Sequence, residues 1–176
     1  MKRTVWIALA VFLWTVSVAA AVELKVGDKA PNLTLKDSTD KVYSLDAPPY
    51  QGKVISVFYV DPDEKDMNVH VEDALQKDPA LERDKNYKGV GVADLKSTWL
   101  PNVIIRQIVE SKQKKTGAIV LLDYDATVQR LWGLPKDSST VVVLDKERVC
   151  RYLHKGKVPA ADVAKIVEII KEYQAK

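Results

Sequence analysis

The sequence predicts an α/β domain: a central mixed β-sheet with helices on both faces, closed by a C-terminal β-hairpin and helix. Three observations predict it. Apolar runs of strand length at 53–60, 90–95 and 118–122 alternate with segments of helical periodicity. The 53–60 run is almost uninterrupted, the mark of a strand covered on both faces. The last third of the chain then carries two more β-like runs about one tight turn, followed by a long amphipathic stretch.

In chain order, the first element is a leader. Residues 1–3 are basic, 5–18 are apolar, and Ala19-Ala20-Ala21 supplies small residues for cleavage, so 1–21 reads as a secretory signal peptide and 22–176 as a single domain. The alternative is an uncleaved anchor, because the uncharged stretch 4–22 approaches the roughly 20 residues that span a bilayer. Leu33-Thr34-Leu35 and Lys41-Val42-Tyr43-Ser44 form two short strands about the polar turn Asp37-Ser38-Thr39-Asp40. After the 53–60 strand, Asp61-Pro62-Asp63-Glu64 has the pattern of a capping box with proline at the first helical position. Met67, Val71, Ala74 and Leu75 continue that helix, and Pro79 limits it.

The 90–95 strand leads to a second helix whose apolar face is predicted at Leu100, Ile104 and Ile108. Residues 118–122 form a strand and 126–132 a short helix. The strands 140–144 and 149–154 pair about Asp145-Lys146-Glu147-Arg148. Pro159 opens the last helix, which places Val163, Ile166, Val167, Ile170 and Tyr173 on one face, although Val158 is a poor cap. This order of elements is the one a thioredoxin-like fold requires.

Composition narrows the function classes. The chain has 176 residues, is 47% apolar and 29% charged, and its single cysteine excludes an internal disulfide. The leader holds Lys2 and Arg3 and no acid, so the remainder carries 25 basic against 24 acidic side chains. That balance supplies no electrostatic drive toward nucleic acid, nor toward a membrane once the leader is removed.

Gly27-Asp28-Lys29-Ala30-Pro31 with Leu33 and Leu35, then Gly52-Lys53 before the apolar strand, resembles the entry of the peroxiredoxin and TlpA-like branch of thioredoxin-fold proteins. Ser138-Ser139-Thr140-Val141-Val142-Val143-Leu144-Asp145-Lys146, with the helix that follows Gly156, resembles more specifically the YtfJ-like family of bacterial periplasmic proteins. The resemblance implies an exported, thioredoxin-like protein of a family without an established activity. Redox-active members of the fold carry Cys-x-x-Cys after the strand ending near Val60, where the helix dipole favours the thiolate. Here 61–67 has no cysteine, and Ser139 stands where the cis-proline would be.

Several residues invite other readings. Asp61, Asp63, Glu64 and Asp66 suggest a cation site, and 61–72 has the length of an EF-hand loop, but Lys65 and Asp66 occupy its third-ligand and glycine positions. Capping and the helix dipole explain those carboxylates without a metal. Asp123-Tyr124-Asp125-Ala126-Thr127-Val128 matches the nucleophile motif of haloacid-dehalogenase-like phosphatases, yet only 48 residues follow Val128. A polar turn ending a strand accounts for it. Strand alternation puts Cys150 on the face of Tyr152 as a buried thiol, while His70 and His154 read as surface residues. Lys112, Lys114 and Lys115 read as a solvated helix end.

The expected function is therefore binding of a periplasmic protein or small molecule, without dithiol or peroxidase chemistry. No catalytic residue, cofactor or metal is assigned. The candidate surface is bordered by Asp61, Asp63, Glu64, Ser138 and Ser139, because α/β folds bind ligands at the carboxyl ends of their strands. The alternatives are a metal-assisted hydrolase or transferase using Asp61 and Asp63, and a single-cysteine thiol protein acting through Cys150.

Overall fold

The computed structural model describes residues 23–176, and the predicted signal peptide lies outside them. The elements are β1 (Thr34–Asp37), β2 (Val42–Ser44), β3 (Val54–Val60), α1 (Val69–Lys77), β4 (Tyr87–Asp94), α2 (Asn102–Thr116), β5 (Val120–Asp123), α3 (Thr127–Trp132), β6 (Ser139–Leu144), β7 (Cys150–Lys155) and α4 (Ala160–Ala175). The seven strands form one sheet in the order β2-β1-β5-β4-β3-β6-β7. Strands β3, β4 and β5 are parallel, and every other pairing is antiparallel.

The continuous apolar run becomes β3, where six of seven residues are buried. Ile55, Val57 and Tyr59 enter one core with Val128 and Trp132 of α3, while Val54 and Phe58 enter the other with α1 and α4. Beside that second core, Ile105 and Val109 of α2 pack on Ala93, Val120 and Leu122. Helices thus cover both faces, and the carboxyl ends of β3, β4 and β5 lie along one edge.

Local chemistry redraws four expected features. The helix predicted from Pro62 is a one-turn 3-10 segment, Pro62–Glu64, and α1 begins only at Val69. Asp61 does accept from the Asp63 N–H at 2.9 Å, but its own N–H donates to the Ser138 carbonyl at 3.0 Å. The donor that a reciprocal capping box would use is therefore already engaged. At the last helix, Pro159 stands at the N-cap, and the Val158 N–H donates to Asn68 Oδ1 at 2.9 Å.

Helix α2 is turned by about one residue from its predicted orientation. Ile105 and Val109 are buried, whereas Ile104 and Ile108 are 42% and 45% exposed and only Leu100 of the expected face packs against the core. Both sets repeat every four residues, so periodicity alone could not choose between them. In the hairpin, Leu144 stands opposite Cys150 and Val143 opposite Tyr152, which leaves Arg151 as an extra residue. This bulge reverses the expected alternation: Cys150 and Tyr152 enter opposite cores.

Candidate functional site

The edge formed by the strand ends brings the five candidate residues together in two layers. Asp61 and Ser139 are buried, Asp63 is exposed, and Glu64 and Ser138 are half-buried. The two loops are tied by the bond from the Asp61 N–H to the Ser138 carbonyl, and Val60 pairs with Ser139 in the sheet. Asp63, Glu64 and Ser138 therefore form the accessible border, with Asp61 and Ser139 beneath it.

Residues that the sequence analysis did not single out hold this border in place. Asn68 is buried and donates through Nδ2 to Ser139 Oγ at 2.9 Å and to the Gly156 carbonyl at 3.1 Å. With its acceptance from Val158, it fastens the start of α1 to β6 and to the loop before α4. Thr98 Oγ1 donates to Asp63 Oδ2 at 3.2 Å, which joins the loop before α2 to the same edge. An isolated Asn in a polar stretch carries no pattern that announces this role.

Two further buried carboxylates end β4 and β5. Asp94 accepts from Ser97 Oγ at 2.7 Å and from the Lys96 N–H at 3.0 Å. Asp123 accepts from the N–H groups of Thr127 and Val128 at 2.7 and 2.8 Å, anchoring the start of α3, and from the Tyr59 hydroxyl at 3.3 Å. Its acceptor capacity is spent on structure, unlike that of a free nucleophile. Burial, followed by the Asp123 and Asp94 charges, pushes the Tyr59 hydroxyl far above its ordinary range.

The same edge is negative. Burial raises the Asp61 carboxyl above its ordinary value, the Asp63 N–H opposes the shift, and the charges of Asp63, Asp137 and Asp94 add to it. Among the described residues, none of Asp61, Asp63, Glu64, Asp94, Asp123 or Asp137 forms an ion pair. Nor do any three His, Cys, Asp or Glu side chains there converge as metal ligands would. His70 and His154 instead pair with the carbonyls of Val158 and Lys157 at 2.9 and 3.0 Å.

Cys150 lies away from this edge. Ile55 opposes Leu144, which opposes Cys150, so the thiol is five residue pairs along β6 from Ser139, about 17 Å. It is fully buried, and its S–H donates to the Tyr152 carbonyl at 3.4 Å. Burial pushes its pKa up to about 11.

A family model described as a bacterial protein of unknown function (YtfJ_HI0045) matches residues 16–173. The chain belongs to that family. An uncharacterized protein of Haemophilus influenzae is 28% identical to this YtfJ family member over 61 residues, which is 35% of the chain and 33% of the relative. The match thus spans about a third of the curated relative's length.

Solved structures similar to this family member include a thiol peroxidase from Chromobacterium violaceum, with TM-score 0.62 and 12% identity over 86% of this chain and 89% of that one. The exposed lipoprotein thioredoxin of Streptococcus pneumoniae has TM-score 0.60 and 16% identity, covering 81% and 99% of the two chains. A peroxiredoxin-like protein from Aquifex aeolicus has TM-score 0.59 and 15% identity over 86% and 91%. These likenesses establish the thioredoxin-like fold of this YtfJ family member.

Proposed function

We propose that the protein is exported and acts by binding, without thiol redox chemistry, at the edge bordered by Asp61, Asp63, Glu64, Ser138 and Ser139. One observation carries the reading. The loop 61–67 meets Ser138 through the Asp61 N–H, at the position where the resemblance puts the cysteines of redox-active members, and there Asp61, Asp63 and Glu64 form no ion pair among the described residues and no thiol is present. Cys150, buried and about 17 Å away, is no substitute. A negative edge suits a ligand or partner that presents cationic or N–H donor groups. The leader pattern supports export, and no helix among the described residues is long and apolar enough to cross a membrane.

Three measurements test the proposal. In an insulin-reduction assay, the wild type and Cys150→Ser should both match the blank without protein; turnover lost in the variant would promote the single-cysteine reading. Titration of isotope-labelled protein with a short lysine-rich peptide should shift the amides of Asp61, Asp63, Glu64, Ser138 and Ser139, and an acidic peptide should not. Shifts spread evenly over the surface would remove the edge as a binding site. Stoichiometric divalent metal that disappears in Asp61→Ala would favour the metal-assisted reading instead.

A further inference from the structure

Helix α2 buries one apolar face and leaves further apolar side chains exposed on its outer side, among polar ones. Ile105 and Val109 point inward. On the outer side Trp99 is 82% exposed and Val103 62%, with Ile104 and Ile108 also exposed. Ile104 and Ile108 are four residues apart on the helix, Val103 adjoins Ile104, and Trp99 lies in the loop three residues before the first helical residue, so the start of α2 and its approach present apolar side chains outward. An exposed apolar patch of this kind marks an interaction surface, and an exposed Trp is the side chain most enriched where binding energy concentrates.

The charges flanking this patch have opposite signs at its two ends. Near the start of α2 lies the acidic loop of Asp63 and Glu64, tied to Thr98 at 3.2 Å. In the last turn, Lys114 and Lys115 are exposed and, among the described residues, make no ion pair. Helix α2 has 15 residues and is about 22 Å long. Two copies of it laid antiparallel would set each acidic end over the partner's basic end, oppose the two helix dipoles favourably, and bury both apolar patches.

We infer that the outer face of α2 is a two-fold interface to a second copy of this chain, with the helices antiparallel. The inference requires no ligand, although its acidic end uses Asp63 and Glu64 of the binding edge proposed above; the isoleucine variant lies outside that edge, so loss of the dimer and loss of peptide binding are read separately. One helix pair with its flanking loops is a small interface, so association is expected in the micromolar range.

Sedimentation of protein recovered from cells expressing the full chain tests it, between about 1 µM and about 300 µM, the range in which small interfaces assemble. The mass should approach that of a dimer. Trp99 emission should move to the blue in step, since Trp132 is already buried. Ile104→Glu with Ile108→Glu should remain monomeric with an unchanged melting curve. Reversing Lys114 and Lys115 to Glu should weaken association several-fold, and combining this with Asp63→Lys and Glu64→Lys should restore it. A wild type that stays monomeric overturns the inference, including one that instead binds lipid vesicles through Trp99. So does a dimer that the isoleucine variant leaves intact, or charge reversals that change nothing.

Discussion

Asp61 is a carboxylate held where water cannot fully reach it, yet it caps the turn that carries Asp63 and Glu64. Asn is as good a cap as Asp, whereas Ala has no acceptor. Asp61→Ala should therefore lower stability by about 0.5–2 kcal/mol in chemical denaturation, and Asp61→Asn should not. The pH dependence follows from the raised carboxyl. Between the unfolded carboxylate value and the higher folded one, the folded state binds more protons, so stability falls as pH rises through that window. Asp61→Asn should match the wild type at pH 3 and be the more stable of the two at pH 7. A wild type that gains on Asp61→Asn as pH rises would contradict the raised carboxyl. Cys150 makes a simpler case. With its pKa near 11, native protein at pH 8 should resist a maleimide that labels it fully once unfolded.

Elements here are joined by a few buried polar hubs. Asn68 makes three hydrogen bonds that link α1, β6 and the approach to α4. Asn68→Ala strands a buried N–H and leaves two acceptors unmatched, which should cost about 3 kcal/mol, read as a lower denaturant midpoint at unchanged m-value. Asp145 plays the corresponding part in the hairpin. It accepts from the N–H groups of Glu147 and Val149 at 3.0 and 2.8 Å, and from Arg151 Nε at 2.8 Å. Arg151 is the residue left over by the bulge, so one carboxylate both closes the turn and secures the irregularity. Asp145→Ala should cost about 2 kcal/mol and first loosen amide protection across β6 and β7 in hydrogen exchange. Equal loss of protection across the whole sheet would show that the hairpin does not open as a separate unit.

At the scale of the molecule, a thioredoxin-like sheet places three parallel strand ends along one edge and lines it with acids. Export would put that edge in an oxidising compartment, where the only thiol is shielded in a core. N-terminal sequencing of protein from the periplasmic or secreted fraction should begin at Ala21 or Val22, following the small residues that close the leader. An intact Met1 on membrane-bound protein would replace the cleaved leader with an anchor.

Strand identities, the terminal hairpin and the lack of a cysteine pair were legible because they rest on local signals: a doubly covered apolar run, a tight turn and a residue inventory. The family block from Ser138 to Lys146 was equally local. The rest was decided by contacts between distant parts of the chain. Two stripes in α2 repeat with the same period, and only packing on Ala93 and Leu122 selected Ile105 and Val109. Strand alternation placed Cys150 beside Tyr152 until one bulged residue moved them to opposite faces. Asp61 looked like the start of a long helix, but its N–H was claimed by Ser138, 77 positions away. Periodicity reports how often a side chain returns to a face. Which face is buried, and which donor is already spoken for, depends on partners brought close only by folding.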